Sequence, residues 1–345
     1  MDQAALLAFL QTAYRLPTLQ RATPVAAGYL SRNWVISAGG ERYFLKQYRF
    51  DDATRVAAAH GALIHFQRAG LPTIVPIATH DGQMISTVDT RHYSLFPFVA
   101  GRQLRRGALS MTAVKAMGTM LARLHRAGHN VRLPHLRQWR LNRDRSAFET
   151  AATTILERIA QQTPATPFDS LAEQTVRRQL VLVEQIKIDP SLLALPSDHL
   201  IHGDYHDSNL FFDAQDQVAH LFDWEKAEIA PREVELVRAL LFTCFSNPEN
   251  FRSTFLPHNF VLGSAFLAAY HAHYPIVLER FVDALHARYW GSLCSLWVVN
   301  EHYLYQNPRV DLFLASTLAE INYFADHLPQ FIGWFRALFD GELTR

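Results

Sequence analysis

Two short runs, Leu200-Ile-His-Gly-Asp-Tyr-His-Asp-Ser-Asn209 and Leu221-Phe-Asp-Trp224, constrain this chain more than anything else in it. Between them lies Leu210-Phe-Phe-Asp-Ala-Gln-Asp-Gln-Val-Ala-His-Leu-Phe222. Two apolar stretches around a polar centre read as a β-hairpin. A hairpin of that length brings Asn209 and Asp223 back to one end, where they can share a cation. Asp204 stands five residues before Asn209, and Asp223 fourteen after it.

That order of residues suits phosphoryl transfer from ATP. Asp204 would accept the proton of an attacking hydroxyl, while Asn209 and Asp223 would hold the Mg²⁺ ions that bridge the nucleotide phosphates. The sequence base, Asn, hairpin, Asp is also that of the protein kinase catalytic segment, with His-Gly-Asp in place of His-Arg-Asp. A zinc site is the competing explanation, because His202, Asp204 and His206 alternate and would share one face of a strand. Gly203 and the Asp-Ser-Asn that follows favour a loop, and no cysteine lies nearby. The ring of His202 is expected to brace that loop through backbone carbonyls, with no part in proton transfer.

The 345 residues are ample for two lobes with real cores. A formal charge of +1, without long runs of either sign, argues against nucleic acid as a partner. Cys244 and Cys294 are the only cysteines, both in apolar helical stretches, as expected of buried thiols in a reducing compartment. No apolar run has the length of a membrane span and no signal peptide pattern is present, so a cytoplasmic protein is expected.

The first hundred residues read as a small, mainly β lobe. A short amphipathic helix covers Met1 to Tyr14. Strands are expected around Ala22 to Ala27, Asn33 to Ser37 and Arg42 to Tyr48, the last two joined by a Gly39-Gly40 turn. Ala53 to Arg68 is helical by its apolar spacing, with Gly70 ending it and Pro72 preventing continuation. Two further strands, Met84 to Val88 and His92 to Phe98, follow an Asp81-Gly82 turn. Lys46 lies in Tyr43-Phe-Leu-Lys-Gln-Tyr48, where an ammonium can reach the phosphates of ATP beneath the sheet. The segment Gly28-Tyr-Leu-Ser-Arg-Asn33, with Ser31 and Asn33, would cover those phosphates. Its single glycine matches neither the multi-glycine loop of protein kinases nor the Walker loop. Phe96-Pro-Phe-Val-Ala-Gly101 links the lobes, and backbone groups of Phe98 and Val99 are candidates to bond an adenine edge.

With Gly118-Thr-Met-Leu-Ala-Arg-Leu-His125, the Leu200 to Asn209 run and Phe222-Asp-Trp-Glu225, the chain resembles the aminoglycoside phosphotransferase and choline kinase superfamily. Ala69-Gly-Leu-Pro72 with Pro76 and Asp81-Gly82 add to the likeness, which spans roughly residues 28 to 240. The resemblance implies that Asp204 is the catalytic base, that Asn209 and Asp223 bind magnesium, that Lys46 binds ATP phosphates and that Ser208 adds a hydrogen bond within its loop. One departure stands out. The family places a glutamate on the N-lobe helix to pair with the strand lysine, and between Arg55 and Gly70 this chain has no acid at all. Glu41, Asp51 and Asp52 are candidate replacements, as is His60, or Lys46 pairs only with nucleotide.

After Asp223 the chain turns directly into a helix, expected over Val234 to Phe245, leaving no room for a long activation segment. Glu225 and Glu228 are candidates to line an acceptor pocket, though solvated glutamates are the commoner case. Glu233 or Glu235 would anchor the loop through an arginine such as Arg238. A helical stretch over Ala284 to Gln306 carries Trp290, Trp297, Tyr303 and Tyr305, with Trp297 a candidate pocket wall against the plainer reading of aromatic core. The Arg137 to Ile188 region reads as two helices without chemistry.

The expectation is an α+β, bilobal protein-kinase-like fold, with residues 1–99 as a nucleotide-binding N-lobe and 100–345 as a helical C-lobe. ATP and Mg²⁺ would bind between them, with an aminoglycoside, choline-like alcohol, homoserine or sugar as acceptor. A serine/threonine protein kinase and a nucleotide-binding regulatory pseudokinase remain the alternatives.

Overall fold

A computed structural model describes residues 3–25, 31–99, 101–105, 108–247 and 253–341. Helix α1 (Gln3–Ala13) leads into strands β1 (Leu19–Val25), β2 (Arg32–Ala38) and β3 (Glu41–Gln47). Helix α2 (Ala53–Arg68) follows, then β4 (Ser86–Val88) and β5 (Arg91–Pro97). These strands form one antiparallel sheet in the order β1-β2-β3-β5-β4. The β2–β3 turn needs left-handed backbone at both centres, and Gly39 and Gly40 supply it at φ +58° and +87°. Asp52 caps α2 by accepting from the Thr54 amide, and Gly70, at φ +79°, lies just past its end. The expected loop residue Gly28 lies outside the described residues.

The remainder is mostly helical. It runs through α3 (Met111–Gly128), β6 (Arg137–Gln138), α4 (Arg145–Ala160), α5 (Pro167–Gln185), β7 (His199–Ile201), β8 (Leu210–Phe212), β9 (Val218–Leu221) and β10 (Glu228–Ala230). Helices α6 (Arg232–Cys244), α7 (Pro257–His271), α8 (Leu278–Leu293), α9 (Trp297–Tyr303) and α10 (Leu314–Gly341) complete it. The expected hairpin is β8–β9, and the two helices expected between Arg137 and Ile188 are α4 and α5. The helical region read over Ala284 to Gln306 is made of two helices, with a break between α8 and α9. Gln179 of α5 explains the break. Its amide donates to the carbonyls of Ser292 and Ser295 at 3.1 and 2.9 Å, taking acceptors that a continuing helix would use.

Two apolar cores result. The smaller packs α1 against the sheet around Leu10, Ile36, Leu45 and Leu95. The larger holds the C-terminal helices and also claims α2, through Ala59, Ala62, Leu63 and Phe66. Phe66 stacks on Trp224 with ring centroids 5.0 Å apart. The backbone after α2 adds a second tie, since Leu221 donates to the Pro72 carbonyl at 2.8 Å and Ile74 donates to that of Leu221. Helix α2 is thereby fastened to the hairpin that carries the sequence's polar cluster. No described helix is long and apolar enough to cross a membrane.

Candidate active site

Strand β7 delivers the chain into the loop Gly203–Asp204. Gly203 has φ +77°, and a Cβ there would stand 1.9 Å from the Lys226 carbonyl, so no other residue fits. The loop is held from below by Glu235, in the first turn of α6. Its carboxylate accepts from the backbone amides of His202 and Gly203, at 3.1 and 2.5 Å, and from His125 Nε2 at 3.0 Å. The anchor therefore runs through backbone amides, where an arginine had been expected. His125 Nδ1 meets the Tyr270 hydroxyl at 2.7 Å. Burial, with Arg232 nearby, pushes the His125 pKa down to about 3, so it is a neutral strut. His202 donates from Nε2 to the Phe222 carbonyl at 2.9 Å and accepts the Asp204 amide on Nδ1 at 3.2 Å. Both ring nitrogens are committed to backbone, as the bracing role requires, and neither is left for a metal.

Asp204 sits at the focus of three basic side chains. Arg238 bonds both its Oδ1 and the Gly203 carbonyl, Lys226 donates to Oδ2 at 2.9 Å, and His206 Nε2 lies 3.7 Å from Oδ1. Burial would raise this carboxyl's pKa, but the Arg238 charge, with His206 and Lys226, outweighs it and holds the pKa well below the ordinary range. Arg238 thus reaches Asp204 itself, where the sequence had suggested Glu233 or Glu235 as its partner. Asn209 closes a short 3₁₀ turn (Asp207–Asn209), and its Nδ2 donates to the Asp204 carbonyl at 2.9 Å. Ser208 donates to Asp207 at 3.1 Å, a hydrogen bond within the loop as expected.

The hairpin register pairs Leu210 with Leu221, and the Phe222 amide bonds the Asn209 carbonyl at 3.2 Å. Asn209 and Asp223 therefore do return to one end. Asp223 turns the chain in left-handed backbone at φ +64° and faces the sheet. Lys46 reaches it from β3, with Nζ 2.7 Å from Asp223 Oδ1 and 2.6 Å from Glu225 Oε1. Burial alone would lower the pKa of Lys46, but Asp223 and Glu225 outweigh it and the ammonium stays charged.

The partner of Lys46 is thus none of the expected candidates. Asp51 binds Arg91 at 3.1 Å, Asp52 caps α2, and Glu41 lies exposed at the turn end of β3. His60 faces the Tyr48 hydroxyl at 2.9 Å, with its pKa pushed down to about 4 by burial and by Lys46. Glu225 fills the place, and Ser31 donates to its Oε1 at 3.1 Å. A carboxylate so engaged is not open to an acceptor. Asn33 pairs across β2–β3 with Lys46, and its buried Oδ1 has no partner. In the linker, the Phe98 amide donates to the Arg42 carbonyl at 3.3 Å, leaving the Phe98 carbonyl and the Val99 backbone as candidates for a purine edge. Glu228 lies in β10 beside β6 and β7, with its pKa raised by burial. Trp297 packs on Phe313, ring centroids 5.7 Å apart, while Trp290 is core and donates to the Asn142 carbonyl. The sequence reading missed Lys226 altogether. The available signal was a lysine three residues past Asp223 in a chain with only four.

Residues 21–276 match the profile described as the phosphotransferase enzyme family. Homoserine kinase of Granulibacter bethesdensis is 26% identical over 273 residues, covering 78% of this chain and 76% of that one. The solved structure of a spectinomycin phosphotransferase with ADP and spectinomycin superposes with a TM-score of 0.60 at 16% identity, covering 94% of this chain and 99% of the other. A microcompartment-associated aminopropanol kinase gives a TM-score of 0.61 at 15% identity, covering 96% and 99%. At these identities the two structures speak for the fold.

Proposed function

The chain belongs to the phosphotransferase enzyme family, and we propose that it moves the γ-phosphate of ATP to a hydroxyl of a small molecule, in the cleft between Lys46 and Asp204. The observation that carries this reading is the ion triad Lys46, Asp223 and Glu225, in which a sheet lysine converges on an acid at the end of the catalytic hairpin. We place the lobe boundary in the linker after Val99, with nucleotide held by residues 1–99 and the acceptor in the cleft between them and residues 100–345. Lys46 binds the phosphates, Ser31 and Asn33 lie at their edge, and the Phe98 carbonyl and Val99 backbone meet the purine.

Asn209 and Asp223 offer an amide and a carboxylate, hard oxygen donors that suit Mg²⁺ completed by phosphate oxygens and water. They would hold it, and the ion would neutralise charge on the phosphates. The rest falls to the chain's own side chains. Asp204, kept ionised by Arg238 and Lys226, orients the acceptor hydroxyl by accepting its hydrogen bond. A carboxylate so acidic takes the proton late, which fits a loose phosphoryl transition state needing little early deprotonation. Positioning and charge supply most of the acceleration.

Between Asp223 and α6 there is only a 3₁₀ turn (Trp224–Lys226) and β10. That leaves no activation segment for a protein substrate, which favours a small acceptor. The pseudokinase alternative rested on the missing helix glutamate, and Glu225 fills that role. The similar proteins act on homoserine, spectinomycin and aminopropanol by name, and an acceptor of that size, a polar alcohol, is the reading for this chain. The buried Cys244 thiol and the use of ATP suit the cytoplasm. The test is Mg²⁺-dependent ATP consumption against a panel of small alcohols, for wild type and Asp204→Asn. Acceptor-stimulated turnover that collapses in the variant is expected, and wild type that fails to bind Mg·ATP overturns the reading.

A further inference from the structure

A cavity of about 550 Å³ opens between the sheet and the C-terminal helices, within the size range of small-molecule sites. Its upper wall is Ser31 and Arg32, at the start of β2, with Arg49 just past β3. Its lower wall is Glu301 from α9, then Tyr305, Asn307 and Arg309 from the segment beyond. Ser31 fixes where the cavity lies relative to the chemistry. Its hydroxyl bonds Glu225, which bonds Lys46, so the cavity adjoins the end of the cleft where the phosphates are expected.

The charge of the lining is lopsided, with three guanidinium groups against one carboxylate. Neither Arg32 nor Arg309 has an ion-pair partner among the described residues. Arg49 approaches Glu301 only at 3.9 Å, while the Asn307 side chain donates to Glu301 Oε2 at 2.9 Å. The excess of cation continues behind Arg49. Arg49 and Arg55 both lie over the ring of Phe50, with guanidinium carbons 5.1 and 3.5 Å from its centroid. Burial lowers the pKa of Arg55, and the like charges of Arg137 and Arg49 lower it further. Cations crowded in this way repel one another until an anion joins them.

We propose that this cavity is the acceptor subsite and that it takes an alcohol bearing an anionic group of the carboxylate class, docked on Arg49, Arg309 and Arg32. Glu301, already oriented by Asn307, stands beside the arginines to receive an amino group if the alcohol carries one. Arginine suits this task, since its planar fork binds carboxylate through two parallel hydrogen bonds. A polycationic acceptor would face net repulsion here. The proposal rests on the phosphotransferase reading and narrows its substrate.

Calorimetric titration tests it whether or not a probe is turned over. Wild type, Arg49→Gln and Arg309→Gln are each titrated with γ-hydroxybutyrate, homoserine, butanediol, aminobutanol and Mg·ATP. Both arginines are exposed, so the variants should fold. Wild type is expected to bind γ-hydroxybutyrate and homoserine in preference to butanediol and aminobutanol. Each variant should weaken the anionic alcohols roughly tenfold to hundredfold, the loss of a hydrogen bond to a charged group. Preference for aminobutanol, or failure of every carboxylate probe to bind, overturns the proposal. So does a variant that weakens Mg·ATP and spares the alcohols, because the arginines would then serve nucleotide phosphate. Failure of the kinase reading looks different, as wild type would then not bind Mg·ATP at all.

Discussion

Lys46 is held by Glu225, two residues past Asp223, at 2.6 Å, and not by any residue of helix α2. The helix face that would supply an acid carries His60, buried and bonded to Tyr48. A lysine fixed from the hairpin side keeps its place as long as the Asp223–Lys226 turn does, and α2 bears on it through the stack of Phe66 on Trp224. Glu225→Gln should therefore cost roughly tenfold to hundredfold in kcat/KM, the range for losing a charged hydrogen bond. Lys46→Met should cost more. In a double-mutant cycle the pair should couple by about 1 kcal/mol or more, as contacting residues do. Additive losses in steady-state kinetics would show that Glu225 acts independently of Lys46.

The acidity of Asp204 comes from its neighbours, and removing one should show in the pH dependence of the rate. Burial alone would raise this pKa, and Arg238 is the largest influence opposing it. Arg238→Gln should move the acid limb of the kcat profile to higher pH, because the carboxyl then holds its proton more tightly. Lys226→Gln should move it the same way by less, since the Lys226 side chain is 45% exposed and screened by water. An acid limb unmoved in Arg238→Gln would mean that the titrating group is not Asp204.

Much of this was legible in the sequence, and the reasons differ from residue to residue. The span of α2 was readable because its apolar spacing and the closing Gly70 and Pro72 are local signals. The return of Asn209 to Asp223 was readable because a hairpin's length fixes which residues meet. The partner of Lys46 was not. Its acid lies 179 residues away, and a search confined to the lysine's own lobe weighed Glu41, Asp51 and Asp52. The break between α8 and α9 escaped for a similar reason, because Gln179, which caps the carbonyls there, comes from another helix. Arg238 lay in plain view but was matched with the wrong partner, since charge alone does not say whether an arginine meets Glu235 or Asp204.

Gly203 is fixed by geometry. Its φ of +77° and the Lys226 carbonyl 1.9 Å from where a Cβ would stand both exclude a side chain. Gly203→Ala should destabilise the fold by roughly 3 kcal/mol or more, adding backbone strain to a clash with backbone that cannot rotate away. The midpoint of urea unfolding reads the loss. Turnover should fall further than stability requires, because the displaced loop carries Asp204 and touches the Lys226 turn that positions Glu225.

His60 and His125 give the fold a dependence on pH that is separate from catalysis. Both are buried and kept neutral, with pKa values near about 4 and about 3 against 6.5 in an unfolded chain. Below pH 6.5 the unfolded chain binds protons that the folded one refuses, so stability is full above that value and falls as pH drops. The slope is about 1.4 kcal/mol per pH unit for each such histidine. Glu235, whose pKa burial raises, works in the opposite sense as it begins to take up its proton. A comparison of variants cancels that contribution. His60→Gln keeps a side-chain amide beside the Tyr48 hydroxyl and removes the titration. Between pH 7.5 and pH 5, its urea midpoint should therefore decline less steeply than that of wild type, by about one histidine's share. Equal slopes would mean that His60 is protonated in the folded protein, and the Tyr48 hydroxyl would then have to act as acceptor beside a charge that the Lys46 ammonium opposes.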